Sequence, residues 1–214
     1  MTTGNTFNWT EAGAEWGLEI APSLAERLEE LATWLAERGL PLGLTNYPSP
    51  QRIAEHHMAP TLALFRLPEF PHSGQALDLG AGGGALGLTI ALLCPQLGVL
   101  LADRRRRSAS FISVTIARLG IGNARAVQVE ATALAKECGG QFDVVGFRAL
   151  APAPEALRLS VPLLGAQGFV AAWHQSEDRG YLNPTPGWER TATVATSLPG
   201  LSVSLLRRSP LLRP

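Results

Sequence analysis

The chain has 214 residues, 46% of them hydrophobic and 17% charged. That is about one and a half typical domains, and the composition excludes a disordered or fibrous chain. The 18 basic and 18 acidic side chains cancel, so no global charge demands a nucleic acid or a membrane surface. The charges are unevenly spread, however: residues 1–70 hold nine Glu against four Arg, leaving a basic excess in 71–214 that makes an anionic partner possible. Cys94 and Cys138 are too few for a secreted disulfide scaffold, and a reducing, cytoplasmic setting fits better. The N-terminus is polar (Thr2, Thr3, Asn5, Asn8) and carries no signal-peptide pattern. Pro95, Gln96 and Gly98 interrupt the most apolar stretch, Ala85–Ala102, which excludes a membrane span there.

Residues 1–21 show no sustained period and read as a loosely held arm. Ser23 and Glu26 form a capping-box pattern ahead of Leu24, Leu28, Leu31 and Leu35, an amphipathic helix running to Gly39. Ser49 and Pro50 start a second helical run through Ile53, Ala54, His57 and Met58, which Pro60 must kink or restart. Residues 1–70 therefore read as an arm plus a helical subdomain, and 71–214 as a separate domain.

From residue 76 short apolar runs alternate with helix-length segments. Strands are expected at Ala76–Leu79, Val99–Ala102, Ala126–Val129, Phe142–Phe147 and Phe169–Trp173. Helices are expected at Ala85–Cys94, Arg107–Leu119, Thr132–Glu137 and Pro154–Leu164. This alternation predicts an α/β fold with a mostly parallel central sheet and helices on both faces. Thr191–Thr196 and Leu201–Leu206, joined by Ser197–Gly200, suggest a closing antiparallel pair.

The sequence Asp78-Leu79-Gly80-Ala81-Gly82-Gly83-Gly84-Ala85 leaves the first strand and opens the first helix of this pattern. Glycines there let a ligand approach bare backbone. Asp103 ends the second strand, where an acid can accept hydrogen bonds from ribose hydroxyls. A dinucleotide fits these two features as well, with its pyrophosphate on the helix N-terminus. Asp78 separates the readings: a carboxylate there suits the ammonium of S-adenosyl-L-methionine and repels a pyrophosphate. The remaining strands carry no hydride-transfer constellation, which favours the methyl donor.

Phe147-Arg148-Ala149-Leu150-Ala151-Pro152 stands where amino-group methyltransferases carry an Asn/Asp-Pro-Pro-aromatic sequence, and neither cysteine is placed as a carbon-methylation nucleophile. A ring nitrogen with a free lone pair needs neither device, so positioning can supply most of the rate. Arg104–Arg107 is either a phosphate grip or a solvated helix start. His174 at the end of the fifth strand is a candidate substrate contact, and His56 and His57 complete no metal set.

These residues resemble the RsmG family, also called glucose-inhibited division protein B, whose members methylate guanine N7 in small-subunit (16S) ribosomal RNA. The resemblance runs from about residue 24 to the end. It rests on Leu44-Thr45 with Pro50 and His57, on Asp78–Gly87, and on Phe142-Asp143-Val144-Val145 followed by Arg148-Ala149 and Ala151-Pro152. It implies a Rossmann-like methyltransferase core with an N-terminal helical extension, S-adenosyl-L-methionine as donor and ribosomal RNA as partner. A monomer, with no metal and no membrane, is the further expectation. By resemblance Gly80, Gly82, Gly84 and Ala85 fall on the donor loop, Ala131-Thr132 beside the adenine, and Asp103 and Arg148 on donor-site positions. Arg107 falls where the family usually keeps a Lys or Arg; Arg105 and Arg106, from the charge run, and His174, from its strand end, complete the expected substrate side.

The chain departs from the family at several basic positions. His56-His57-Met58-Ala59-Pro60-Thr61 replaces Arg-His-x-x-Asp-Ser, His174-Gln175 replaces Lys-Gly, and Glu130 and Thr132 replace an Arg and an acid. Phosphate contacts dominate RNA affinity, so a divergent member that binds the donor without methylating is the alternative expectation.

Overall fold

The computed structural model describes residues 6–183 and 186–209; residues 1–5 of the expected arm and 210–214 of the C-terminal domain lie outside them. The chain opens with α1 (Trp9–Glu15) and α2 (Pro22–Trp34), followed by one wider π-type turn, Leu35–Gly39. Next come α3 (Pro50–Ile53), a second π-type turn at Ala54–Met58 and a 3-10 stretch at Ala59–Arg66. The alternating part is β1 (Gly74–Leu79), α4 (Ala85–Leu93), β2 (Leu97–Asp103), α5 (Arg106–Leu119), β3 (Ala124–Gln128), α6 (Ala131–Cys138), β4 (Phe142–Arg148), α7 (Ala153–Ser160) and β5 (Leu164–Gln175). The short helix α8 (Arg179–Leu182) precedes β6 (Trp188–Ala195) and β7 (Leu201–Arg208).

The seven strands form one sheet in the order β3-β2-β1-β4-β5-β7-β6. β1 to β5 run parallel, while β7 pairs antiparallel with both β5 and β6. The expected α/β class and closing antiparallel pair are thus present. The chain order reverses at β1, whose neighbours β2 and β4 are reached by crossovers in opposite directions. Helices diverge at such a switch point and leave a crevice beyond the carboxyl ends of the strands.

Each sheet face carries its own core. On one face Leu28, Leu31, Met58, Leu62 and Leu64 from the N-terminal helices share a buried cluster with Leu88, Leu97, Leu101 and Val203. On the other, Phe142, Phe147, Leu157 and Val170 pack with Leu77 and Leu79. Two indole N–H groups add directional ties across the first face. Trp173 donates to the Pro60 carbonyl at 3.1 Å, and Trp34 donates to Thr115 Oγ1 at 2.9 Å.

Three local expectations are corrected. The helix expected from the Ser23–Glu26 capping box starts at Pro22 with Ala21 as N-cap and no side-chain cap bond. Proline at the first helical position has φ set in advance and no N–H to satisfy, which moves the start ahead of Ser23. The helix expected over Pro154–Leu164 ends at Ser160, and Val161–Leu163 tightens into a 3-10 turn because Pro162 has no N–H to continue the ladder. By contrast, Ser49 caps α3 as expected, its Oγ accepting the Arg52 N–H at 3.3 Å.

The third correction concerns residues 6–21, which are no loose arm. Asn8 caps α1, and both Trp9 and Ile20 are 2% exposed. The Arg66 guanidinium donates to the Glu15 carbonyl and lies 5.9 Å from the centre of the Trp16 ring. Replacing Trp9 with Ala should lower the unfolding free energy by about 3–5 kcal/mol, the range for emptying a buried aromatic site. Urea denaturation measures this, and an unchanged midpoint would mean that the segment is detachable.

Candidate functional site

The crevice at the switch point is built by three strand ends. β1 ends at Asp78-Leu79, β2 at Ala102-Asp103 and β4 at Phe147-Arg148. The glycine turn rises from β1 and is fastened to β2: the N–H groups of Gly80 and Ala81 donate to the Ala102 carbonyl at 2.8 and 3.1 Å. The Gly82 N–H donates to Asp103 Oδ2 at 2.8 Å.

The glycines divide by role. Gly82 has φ +60°, and a Cβ there would meet no heavy atom nearer than an Arg105 guanidinium nitrogen at 3.8 Å. Its Cα therefore faces open crevice. Gly84, at φ +82°, is the N-cap of α4, and a Cβ there would press on Ile112 at 3.0 Å and Leu88 at 3.1 Å. It serves helix–sheet packing and lines neither of the two cavities described below.

Asp78 is 4% exposed and accepts the Gly87 N–H at 2.9 Å. Burial raises its pKa to about 7; the Gly87 hydrogen bond works against the rise and the charge of Asp103 adds to it. The two strand-end acids therefore differ sharply. Burial also opposes the charge on Asp103, but hydrogen bonds from the Arg105 side chain and from the N–H groups of Arg105 and Gly82 outweigh it, holding its carboxyl below the usual range.

Two cavities meet at this turn. The first, about 340 Å³, is lined by Asp78, Gly80, Gly82, Ala85 and Arg148, and is roofed by Leu35, Gly39, Leu44, Thr45, Ile53 and His57 of the helical segment. The second, about 740 Å³, holds Asp103, Arg104 and Arg105 on one side and Val129, Ala131, Thr132, Leu150, Pro152 and Leu159 on the other. The structure thus brings Asp78, Gly80, Gly82, Ala85, Asp103, Arg105, Ala131, Thr132 and Arg148 to one crevice. Arg106 and Arg107 open α5 outside both cavities, and the Arg107 guanidinium reaches toward Gly43.

His174 is not in the crevice. It is 5% exposed, and its ring nitrogens lie 2.7 Å from the Gln175 carbonyl and 2.8 Å from Ser204 Oγ. The ring stacks on Tyr181 at 5.0 Å, on the face opposite Trp173. The period-2 alternation of β5 directs it into the core of the sheet, where it anchors β7 instead of facing a substrate.

Among the lining residues that the sequence does not single out as site residues are Leu35, Gly39 and Ile53 in the roof, Leu150 and Pro152 in the second cavity, and Ala149 between the two. Ala149 has φ +53°, the one non-glycine residue among those described with a positive φ, and lines both cavities directly after Arg148. Thr45 and His57 share a hydrogen bond of 3.1 Å in the roof. Burial lowers the His57 pKa to about 4, with the charges of Arg148 and His56 adding to the effect, so its ring is neutral at physiological pH. The Arg148 guanidinium, from β4, donates to the His56 carbonyl of the same roof.

A family model described as rRNA small subunit methyltransferase G matches residues 24–184. A protein of Stenotrophomonas maltophilia named ribosomal RNA small subunit methyltransferase G is 30% identical over 88% of this chain and 86% of its own length. One of the same name from Myxococcus xanthus is 32% identical over 73% of this chain and 71% of its own. Among solved structures, a SAM-dependent methyltransferase from Aquifex aeolicus superposes with a TM-score of 0.55 at 15% identity, covering 78% of this chain and 97% of that one. A variant of MtNAS in complex with S-adenosylmethionine superposes with a TM-score of 0.60 at 18% identity, covering 86% and 73%. The last two share the fold. With a family model spanning most of the chain and relatives aligned over most of their own lengths, this chain belongs to the rRNA small subunit methyltransferase G family.

Proposed function

We propose that this protein is an S-adenosyl-L-methionine-dependent methyltransferase that modifies guanine N7 in small-subunit ribosomal RNA, working as a monomer in the cytoplasm. One observation carries the reading. An open glycine turn stands between a buried carboxylate, Asp78, and a hydrogen-bonded one, Asp103, where two cavities meet. That arrangement matches a ligand with a cationic amino-acid end and a ribose. In this assignment residues 71–214 form the donor-binding domain, and residues 1–70 form the helical subdomain roofing the acceptor side. No helix among the described residues is long and apolar enough to cross a membrane.

The residues fit the donor group by group. Asp78 faces the ammonium, and the bare Cα of Gly82 lets the chain between ammonium and ribose lie close, while Gly80 lines both cavities with its Cα turned toward Leu150. Asp103 takes the ribose hydroxyls, while Ala131, Thr132, Leu150 and Pro152 line the place for adenine, in a cavity that Glu130, Glu155 and Arg158 also line. Arg148, half-buried under the roof, holds the anionic end of the donor or the acceptor guanine. Ala85 closes the turn at the start of α4. Arg105, Arg106 and Arg107 stand on the RNA side.

When bound, the donor supplies an electrophilic methyl group on a sulfonium sulfur. Guanine N7 carries an available lone pair, so the bond from N7 to the methyl carbon forms as the sulfur–methyl bond breaks and the sulfur keeps the electron pair. No proton has to leave first. The protein's task is therefore to align the acceptor and exclude water, and such positioning accounts for rate enhancements of many orders of magnitude. The neutral His57 and the Thr45 hydroxyl line the roof without adding a positive charge beside a purine that becomes cationic.

Calorimetry with S-adenosylhomocysteine and with NAD tests the donor assignment; uptake of NAD and not of S-adenosylhomocysteine would overturn it. Gly82→Val should abolish S-adenosylhomocysteine binding while the circular dichroism spectrum stays that of the parent, because the new side chain fills the open crevice and, at φ +60°, strains the turn locally. Asp103→Ala should lose roughly 1–3 kcal/mol of affinity, the range for a charged hydrogen-bond partner.

Asp78 makes the binding pH-dependent. An ammonium selects the ionised carboxylate, so affinity should rise as pH is raised through about 7, level off above it, and fall by up to about tenfold per unit below it. Asp78→Asn should be weaker throughout and lack this slope; a slope that persists in the variant would assign the titration to another group.

A further inference from the structure

All four hydrogen-bonding positions of the Asp103 carboxylate are taken. Oδ1 accepts the Arg105 N–H at 2.9 Å and Arg105 Nε at 3.1 Å; Oδ2 accepts the Gly82 N–H at 2.8 Å and an Arg105 terminal nitrogen at 3.1 Å. A carboxylate offers about four such positions, so a ribose can engage Asp103 only if a present donor leaves. The two backbone N–H groups are fixed by the turn and by the start of α5. The Arg105 side chain is the donor that can leave: it is 50% exposed, so its charge stays solvated when it goes, although the carboxylate that it grips with two nitrogens is 4% exposed.

Arg105 also stands at the junction of the two cavities. Among the described residues only Gly80, Arg105 and Ala149 line both, and of these Arg105 alone has a long side chain. A ligand with an amino acid in the first cavity and a nucleoside in the second must pass this guanidinium.

We propose that Arg105 is a switch residue: the donor's ribose displaces it from Asp103, and the freed guanidinium takes a phosphate of the RNA, so that donor binding strengthens RNA binding. This rests on the donor assignment above. The neighbouring Arg104, Arg106 and Arg107 favour the second half of the exchange, since a cation released among three others finds a site already attractive to phosphate. Thermodynamic reciprocity then requires RNA to strengthen donor binding by the same factor.

The test pairs Arg105→Ala with the parent in two titrations. S-adenosylhomocysteine should bind the variant about two- to fivefold more tightly, because no guanidinium has to be displaced. Deproteinised small-subunit ribosomal RNA should bind the parent more tightly with saturating S-adenosylhomocysteine than without it. Its logarithmic salt slope should steepen by about 0.7–0.9, the value for one added phosphate contact. In the variant neither RNA affinity nor slope should respond to S-adenosylhomocysteine. Weaker S-adenosylhomocysteine binding by the variant would make Arg105 a direct donor contact and overturn the proposal. So would a parent whose RNA affinity and salt slope ignore S-adenosylhomocysteine. A parent that takes up no S-adenosylhomocysteine would overturn the donor assignment itself, a result separate from the other two.

Discussion

The carbonyl of Ala102 and the carboxylate of Asp103, adjacent at the end of β2, take three consecutive N–H groups of the glycine turn. A turn of this composition has large conformational freedom in the unfolded chain, and these bonds select one shape from it. The selected shape puts positive φ at Gly80, Gly82 and Gly84. One Cα thereby faces the crevice at Gly82, while another is pressed into the core at Gly84. The pairing of β1 with β2 over six residues holds both strand ends level, so the turn and the acid that fastens it keep their relative height.

The roof depends on the same geometry from the other side. Its helices share the core of one sheet face and are tied by Trp173 to the Pro60 carbonyl and by Arg148 to the His56 carbonyl. Its two π-type turns, Leu35–Gly39 and Ala54–Met58, each widen the helix at residues that line the first cavity: Leu35 and Gly39 in one, His57 in the other. Such turns often occur where a helix presents side chains to a site. Here they let the roof follow the glycine turn without breaking the helices that cover the core.

Much of this was legible in the sequence. The parallel strands read as short, mostly apolar runs, densest in β2 and β4, because a strand buried on both faces needs apolar side chains on both; β3, at the sheet edge, keeps Arg125 and Gln128 exposed. The glycine turn declared itself by position as well as composition. What was not legible depended on contacts between distant residues. Trp9 and Ile20 are too far apart and too few to make a period, yet each fills a place in the core. The bond from Arg148 to the His56 carbonyl spans 92 positions, and the left-handed backbone of Ala149 follows from tertiary packing, since alanine has no preference for it. His174 was misplaced because a strand end in the sequence does not say which face of the sheet its last side chains occupy. The charge run at Arg104–Arg107 was visible, but the pairing of one of its members with Asp103 was not.

If this crevice carries a methyl group from S-adenosylmethionine to guanine N7 of ribosomal RNA, the modified nucleosides of that RNA must follow the protein. The most direct measurement is nucleoside mass spectrometry of small-subunit ribosomal RNA from cells with and without this protein, repeated after incubating the latter RNA with purified protein and isotope-labelled donor. The level of 7-methylguanosine should fall in cells lacking the protein, label should return to that nucleoside in vitro, and Gly82→Val should transfer none. Equal 7-methylguanosine in both RNAs, with no label transferred by the parent protein, would contradict this assignment.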